Sequence, residues 1–329
     1  MSISVEDLAR ELDAIEAKEV NCRLNEVEFT SEGIVFFETG EVSELDNLGF
    51  QKLGEYFGVN KPYIRKSPPS LIAMNLEFWR KMYPDAMTRF YFWGDHLESV
   101  SDVDKVILDS KDFFLFLREC FSEGDEVVSF TIEPEKFFFD VTFGDSLLKV
   151  ENIEGLVDEL KFGVRVQLYP QTVEPVTVQR ILYNESSSVT LAEYDENKFV
   201  SLKGKSVAEA MADVKEAVLK VHEETRSYRE DVSKNSEREI RGSVSALLRQ
   251  ICKENNLSTR VAESVESAGI DLGDKENGVT VYDVAQVFGH VANLTSSFGT
   301  KLNLQYLGSD LLFKTDAMLQ RCSHCEKLL

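Results

Sequence analysis

No apolar run in this 329-residue sequence approaches the ~20 residues that a bilayer-spanning helix needs, so a helical membrane protein is excluded. The opening Met1-Ser2-Ile3-Ser4-Val5-Glu6-Asp7-Leu8 has no basic segment and no apolar signal core, and export is not expected. Cysteine is scarce and odd in number, five scattered residues of which only Cys322 and Cys325 are close together. That pattern suits a reduced, intracellular protein better than a disulfide framework. There is no G-x-x-x-x-G-K-[ST] loop, which excludes a P-loop ATPase by motif, and no G-x-G-x-x-G, H-E-x-x-H or G-x-S-x-G occurs. An excess of positive charge is also missing. The formal net charge is −22, which argues against a protein that coats DNA over its whole surface but leaves room for a local basic groove. A DNA mimic would show the same acidity, and so would a plainly soluble protein.

What is present is a core-forming composition, 43% hydrophobic with 22 phenylalanines. Leu8, Leu12 and Ile15 lie at helical spacing within Val5 to Lys18, with Glu6 and Asp7 in the first turn. Val27 to Phe29 and Ile34 to Phe37 flank Ser31-Glu32-Gly33 as a hairpin. Ser43 to Phe57 predicts a helix capped by Ser43, with Asp46 at the capping-box position and Gly58 as its left-handed stop. Pro62, Pro68 and Pro69 interrupt the next stretch, and a second helix from Ser70 to Tyr83 places Leu71, Met74, Phe78 and Met82 on one face. Thr88 to Trp93 reads as a buried strand, and Ser101 to Phe121 as one or two short helices.

The middle of the chain alternates. Glu126 to Ile132, Lys136 to Phe143, Lys161 to Tyr169 and Val176 to Tyr183 are strands, with Phe137, Phe139, Val141 and Phe143 on one face. Thr190 to Leu202 is hairpin-like around Asp195-Glu196-Asn197. After Ser206 the chain turns helical and charged, with Val207, Met211, Val214, Val218 and Val221 as an apolar stripe. Further helices span Ser236 to Asn255, Ser258 to Ala268 and Thr280 to Phe298. The reading is α+β: an N-terminal α/β region (1–121), a sheet-rich centre (122–205) built on an antiparallel sheet, and a helical C-terminal region (206–329) integrated with the centre.

Three stretches carry a family resemblance. The first runs from Leu53-Gly54-Glu55-Tyr56-Phe57-Gly58-Val59 through Pro62-Tyr63-Ile64 to Leu76, Phe78 and Trp79. The second runs from Phe162-Gly163-Val164 through Pro175-Val176 to Arg180-Ile181-Leu182-Tyr183-Asn184, and the third from Thr280-Val281-Tyr282-Asp283-Val284 to Asn293-Leu294-Thr295. Together they resemble the phage/plasmid-like protein family, a domain of unknown function found in bacteriophages, plasmids and integrated elements. Tyr183 stands where that family commonly has Cys, and Glu185 where it has Gly, so any chemistry depending on that Cys would be absent. The resemblance implies a mobile-element origin and a place in the cytoplasm of a bacterial host cell. It brings no established activity and no catalytic set. A weaker likeness is to single-strand annealing proteins, and it is one of fold alone.

Two basic clusters are candidate nucleic-acid contacts. Lys61, Arg65, Lys66, Arg80 and Lys81 surround the first stretch, which is laid out like a helix-turn-helix, and Trp79 beside them could stack on bases or pack in the core. Lys161, Arg165 and Arg180 lie on a strand pair with Tyr183, near Lys198, Lys203 and Lys205; they form a single-strand groove if they share a face, and solubilising charge if they do not. Cys322-Ser323-His324-Cys325 offers half a zinc site at most and would hold zinc only if other ligands completed it. His96 after Gly94-Asp95 sits in a turn where Asp95 could orient an imidazole. The leading expectation is a non-enzymatic accessory protein of phage DNA metabolism that binds or anneals single-stranded DNA. The alternatives are an acidic protein-interaction or counter-defence factor engaging a host or phage protein, and a virion structural protein. No membrane partner is expected, and self-association is open.

Overall fold

A computed structural model describes residues 2–14, 16–105, 108–133, 136–169, 175–193, 199–240, 242–273, 278–315 and 318. The chain opens with β1 (Ile3–Ser4), α1 (Val5–Asp13), β2 (Ala17–Arg23), β3 (Val27–Phe29), β4 (Gly33–Phe36) and β5 (Val42–Glu44). Three helices follow, α2 (Asn47–Tyr56), α3 (Lys61–Lys66) and α4 (Pro69–Met82), then β6 (Met87–Trp93), β7 (His96–Asp102) and α5 (Ser110–Leu117). The centre is β8 (Glu126–Glu133), β9 (Lys136–Thr142), β10 (Leu148–Glu151), β11 (Val157–Leu168), β12 (Val176–Asn184), β13 (Val189–Ala192) and β14 (Phe199–Val200). It ends in α6 (Val207–Ser236), α7 (Val244–Glu254), α8 (Thr259–Gly273), α9 (Val281–Leu294) and α10 (Phe298–Phe313).

The α+β architecture expected from sequence is the one observed. An eight-stranded antiparallel sheet runs β1-β8-β9-β11-β12-β13, with β10 on β11 and β14 on β12. Two three-stranded antiparallel sheets, β2-β6-β7 and β3-β4-β5, stand apart from it. Phe137, Phe139, Val141 and Phe143 share one buried face, as their alternation predicts, and meet Phe113 and Phe114 of α5. Local signals set several helix starts. Ser206 and Glu209 form a capping box at α6, Thr280 and Asp283 form another at α9, and the Ser4 side chain accepts from the Asp7 N–H at α1.

Three cores divide the chain. The first, Leu24 to Leu97, lies within the small sheets, α2–α4 and the short turn that joins β2 to β3. The second joins α1, α5 and the first half of α6 to the large sheet. The third lies among α7–α10 and the β12–β13 end of the sheet. α1 and α5 thus belong with the large sheet, and β2–β7 form a unit between them rather than part of one region ending at residue 121. At 30 residues, or about 45 Å, α6 spans two cores, giving Val214 and Val218 to one and Val232 to the other.

Two local expectations are corrected. Ser43 does not cap α2 but pairs with Ile34 inside β5; Asp46 is the cap, its side chain accepting from the Gly49 N–H. A carboxylate nearer the apolar run captures the helix start. The expected first helix, Val5 to Lys18, ends at Asp13, with Ala17 and Lys18 already in β2, whereas the expected helical stretch Ser101 to Phe121 holds α5 and gives only Ser101 and Asp102 to β7. Both strands pair with the strongly alternating β6, which supplies the partner that their own pattern lacks.

Candidate nucleic-acid interface

α2, α3 and α4 fold as a helical triplet for local reasons. Gly58 ends α2 with φ +70°, the left-handed turn that glycine adopts without strain. Gly54 has no side chain because α3 crosses it: a Cβ there would lie 1.9 Å from Ile64 Cδ1. Pro62 sits in the first turn of α3, where no backbone donor is lost. Asn75 Nδ2 donates to the Tyr63 hydroxyl at 2.5 Å and ties α3 to α4.

α4 buries Ile72, Ala73 and Leu76. The face carrying Met74, Phe78 and Met82 is turned outward, at 62%, 59% and 57% exposure, and Tyr63, Tyr83 and Met87 are exposed as well. Sequence reasoning identifies this stripe but misses its exposure. The helix is apolar on two sides, and only the packing of Ile72 and Leu76 against the sheet of Phe29 and Phe36 decides which side is covered. Trp79 is half-buried between the two. Its ring stacks parallel to Tyr83, centroids 6.3 Å apart at 4°, and meets Phe78 edge-on at 5.9 Å. Trp79 is thus an anchor for an exposed aromatic group rather than a core residue alone.

The N-terminal cations lie on the same segment, two of them turned towards α2. Lys61 pairs with Glu55 at 2.6 Å, Arg65 Nε donates to Gln51 Oε1 at 3.2 Å, and both remain exposed. Lys66 is exposed at the end of α3 and Lys81 at the end of α4. Arg80 differs: it makes a bidentate pair with Glu77, 2.7 Å at each contact, and Glu77 Oε1 also accepts from the Phe29 N–H. Glu77 therefore ties α4 to β3, and Arg80 holds Glu77 in place. From Lys61 to Tyr83 five cations stand against one carboxylate, net +4, in a chain of −22.

The strand cations do not make a groove. In the β11–β12 ladder Arg165 lies opposite Gln179 and Arg180 opposite Val164, so neighbouring side chains place the two arginines on opposite faces. Both are buried, at 3% and 4% exposure. Arg165 holds Asp140 through two bonds of 2.6 and 2.7 Å and donates to Gln305 of α10 at 2.8 Å. Arg180 pairs with Glu193 at 2.7 Å, with its guanidinium over the Tyr228 ring of α6. Lys161 bridges Glu126 and Glu185 at 3.3 and 3.2 Å, opposite half-buried Tyr183. Lys205 pairs with Asp213, and Lys203 is exposed. Helices on both faces of the sheet account for the difference: a strand cation enclosed between helices is kept only with a counter-charge.

The other candidates separate. His96 ends the Gly94-Asp95 turn, is exposed, and has Asp46 rather than Asp95 as its carboxylate, 3.8 Å away. Burial pushes the thiols of Cys22, Cys120 and Cys252 each up to about 11, away from the thiolate that a nucleophile or metal ligand requires. Cys322 and Cys325, like Lys198, lie outside the described residues. Among the described residues no cluster of metal-ligating side chains occurs, and no helix is long and apolar enough to cross a membrane. Comparison with known protein families, with characterised proteins and with solved structures gave no match.

Proposed function

We propose that the α3–α4 surface binds single-stranded nucleic acid and that the protein is a non-enzymatic accessory factor of DNA metabolism in a bacteriophage or other mobile element. The observation that carries the reading is that one short segment, Lys61 to Tyr83, carries both exposed rings (Tyr63, Phe78 and Tyr83) and exposed cations (Lys61, Arg65, Lys66 and Lys81), with a charge that opposes that of the rest of the chain. Open rings give every base a stacking face, and the cations track the phosphates. Duplex DNA keeps its bases stacked inside and offers such rings little. Six residues with a proline in the first turn make α3 too short to serve as a groove-reading helix.

The test is a fluorescence-anisotropy titration of a labelled oligonucleotide, single-stranded and duplex, at low and moderate salt. Salt-sensitive binding that favours the single strand supports the reading, and absence of binding at low salt overturns it. A second reading is favoured by one feature, the Met74-Phe78-Met82 stripe. Methionine on an exposed helix face adapts to protein partners. Lack of nucleic-acid binding would leave that face to a host or phage protein.

A further inference from the structure

A cavity of about 390 Å³ opens far in sequence from that surface, between the β10–β11 turn, the β12–β13 turn, α8 and α9. Val189, Ala268, Leu272 and Val287 make its apolar lining. Its polar wall is a bonded set drawn from three elements. The Tyr282 hydroxyl donates to Asp158 Oδ2 at 2.7 Å and accepts from Asn184 Nδ2 at 2.8 Å, and Asn152 Nδ2 donates to the same carboxylate oxygen at 3.3 Å.

Asp158 is the unusual member. Its side chain lines the cavity although the residue is only 8% exposed. Both of its donors are neutral, and both use Oδ2. Among the described residues Oδ1 has no hydrogen-bond partner, yet it is not sealed from solvent, so it opens on the cavity. No Lys or Arg is among the described residues that line the cavity, and the adjacent Asp283 spends its oxygens on the Ile153 N–H and the Thr280 cap. Burial, together with the Asp158 and Asp283 charges, holds the Tyr282 hydroxyl well above its ordinary range, so it stays a donor. A buried carboxylate normally has a cationic partner. Here the place for one is the cavity.

We infer that this cavity binds an organic nitrogen cation, an ammonium or guanidinium group on a short apolar chain, with Asp158 Oδ1 accepting its charged hydrogen bond. The group could come from a free organic cation or from a basic side chain of a partner protein. The apolar lining takes the methylene stem, and the carboxylate takes the head group.

Isothermal titration of the full chain with agmatine, which carries a guanidinium and an ammonium on one four-carbon stem, with the uncharged n-butylurea, which has the same stem length and neither charge, and with an acetylated and amidated Gly-Arg-Gly peptide tests this. Agmatine should bind one to one and n-butylurea should not. Asp158→Asn should weaken agmatine by about tenfold or more, the scale of a charge-assisted hydrogen bond, with its thermal melt reporting that it folds. Should that variant fail to fold, Ser186→Trp at the exposed rim blocks the entrance while leaving the bonded wall intact, and it should abolish binding. Tighter binding of the peptide than of agmatine assigns the site to a protein side chain, and the reverse order to a free cation. Absence of agmatine binding, equal binding of n-butylurea, or binding unchanged in the variant that folds would each overturn the inference.

Discussion

Five of the chain's basic residues lie at α3–α4, and three lie on the β11–β12 pair; the two groups have opposite fates. On the small N-terminal unit Lys61, Arg65, Lys66 and Lys81 are exposed on the same segment as uncovered aromatic rings. On the large sheet Arg165 and Arg180 are enclosed, each with its own carboxylate, and Lys161 sits between two. The difference follows from layering. The small unit covers one side of α4 and leaves the other open, whereas the large sheet has helices against both faces. A cation's role is therefore decided by how many layers surround its element, and neither its charge nor its local sequence reports that number.

The largest effect that sharpens this contrast is on stability. Arg165→Ala leaves Asp140 buried without its partner and should cost about 3–5 kcal/mol in chemical denaturation. Changing Arg165→Met together with Asp140→Leu should recover much of that loss, because no charge remains buried. If Arg165→Ala proves neutral for stability but weakens nucleic-acid binding, the division between buried and exposed cations breaks down.

Next in size is the converse substitution on the small unit. Replacing Lys61, Arg65, Lys66 and Lys81 together by alanine should lower single-strand affinity by more than about tenfold at low salt. The slope of log K against log salt should flatten by roughly 2 to 3, at ~0.7 for each phosphate that is no longer neutralised. Exposed sites of this kind change stability by only about 0.5 kcal/mol each. An unchanged salt slope would show that these cations are solvated charge and nothing more.

Much of the large sheet was legible in the sequence. The alternation of Phe137, Phe139, Val141 and Phe143 and the turn to helix after Ser206 needed only local rules, and they placed a buried strand face and a helix start correctly. The α4 surface was legible in composition but not in orientation. Ile72 and Leu76 make as good a stripe as Met74 and Phe78, and tertiary packing chose between them. The burial of Arg165 and Arg180 was out of reach, because it depends on Gln305 and Tyr228, which lie 140 and 48 residues away. The Asp158 cavity was hidden for the same reason, its wall being assembled from β10–β11, β12 and α9.

A smaller effect separates stacking from charge within the exposed region. Phe78→Ala should lose about 1–3 kcal/mol of single-strand binding, the worth of one stacked base, while the salt slope stays as in the wild type. Loss of slope together with affinity would mean that the ring positions the cations instead of stacking.

The smallest effect lies where α5 meets the small unit. Asp109 caps α5, accepting from the Asp112 N–H at 2.8 Å, and burial raises its carboxyl above the ordinary range despite the Tyr91 hydroxyl beside it. A carboxyl whose folded pKa is raised stabilises the fold fully below its unfolded value and loses that contribution as pH rises through the folded one. Asp109→Asn keeps a good helix cap and removes the charge. The variant should therefore match the wild type in acid and become the more stable of the two as pH climbs from the carboxylate range towards neutrality. Urea titrations across that window check the sign. A stability difference that stays constant with pH would mean that the Asp109 charge is solvated, and that the junction between α5 and the small unit is as open to water as the α4 face.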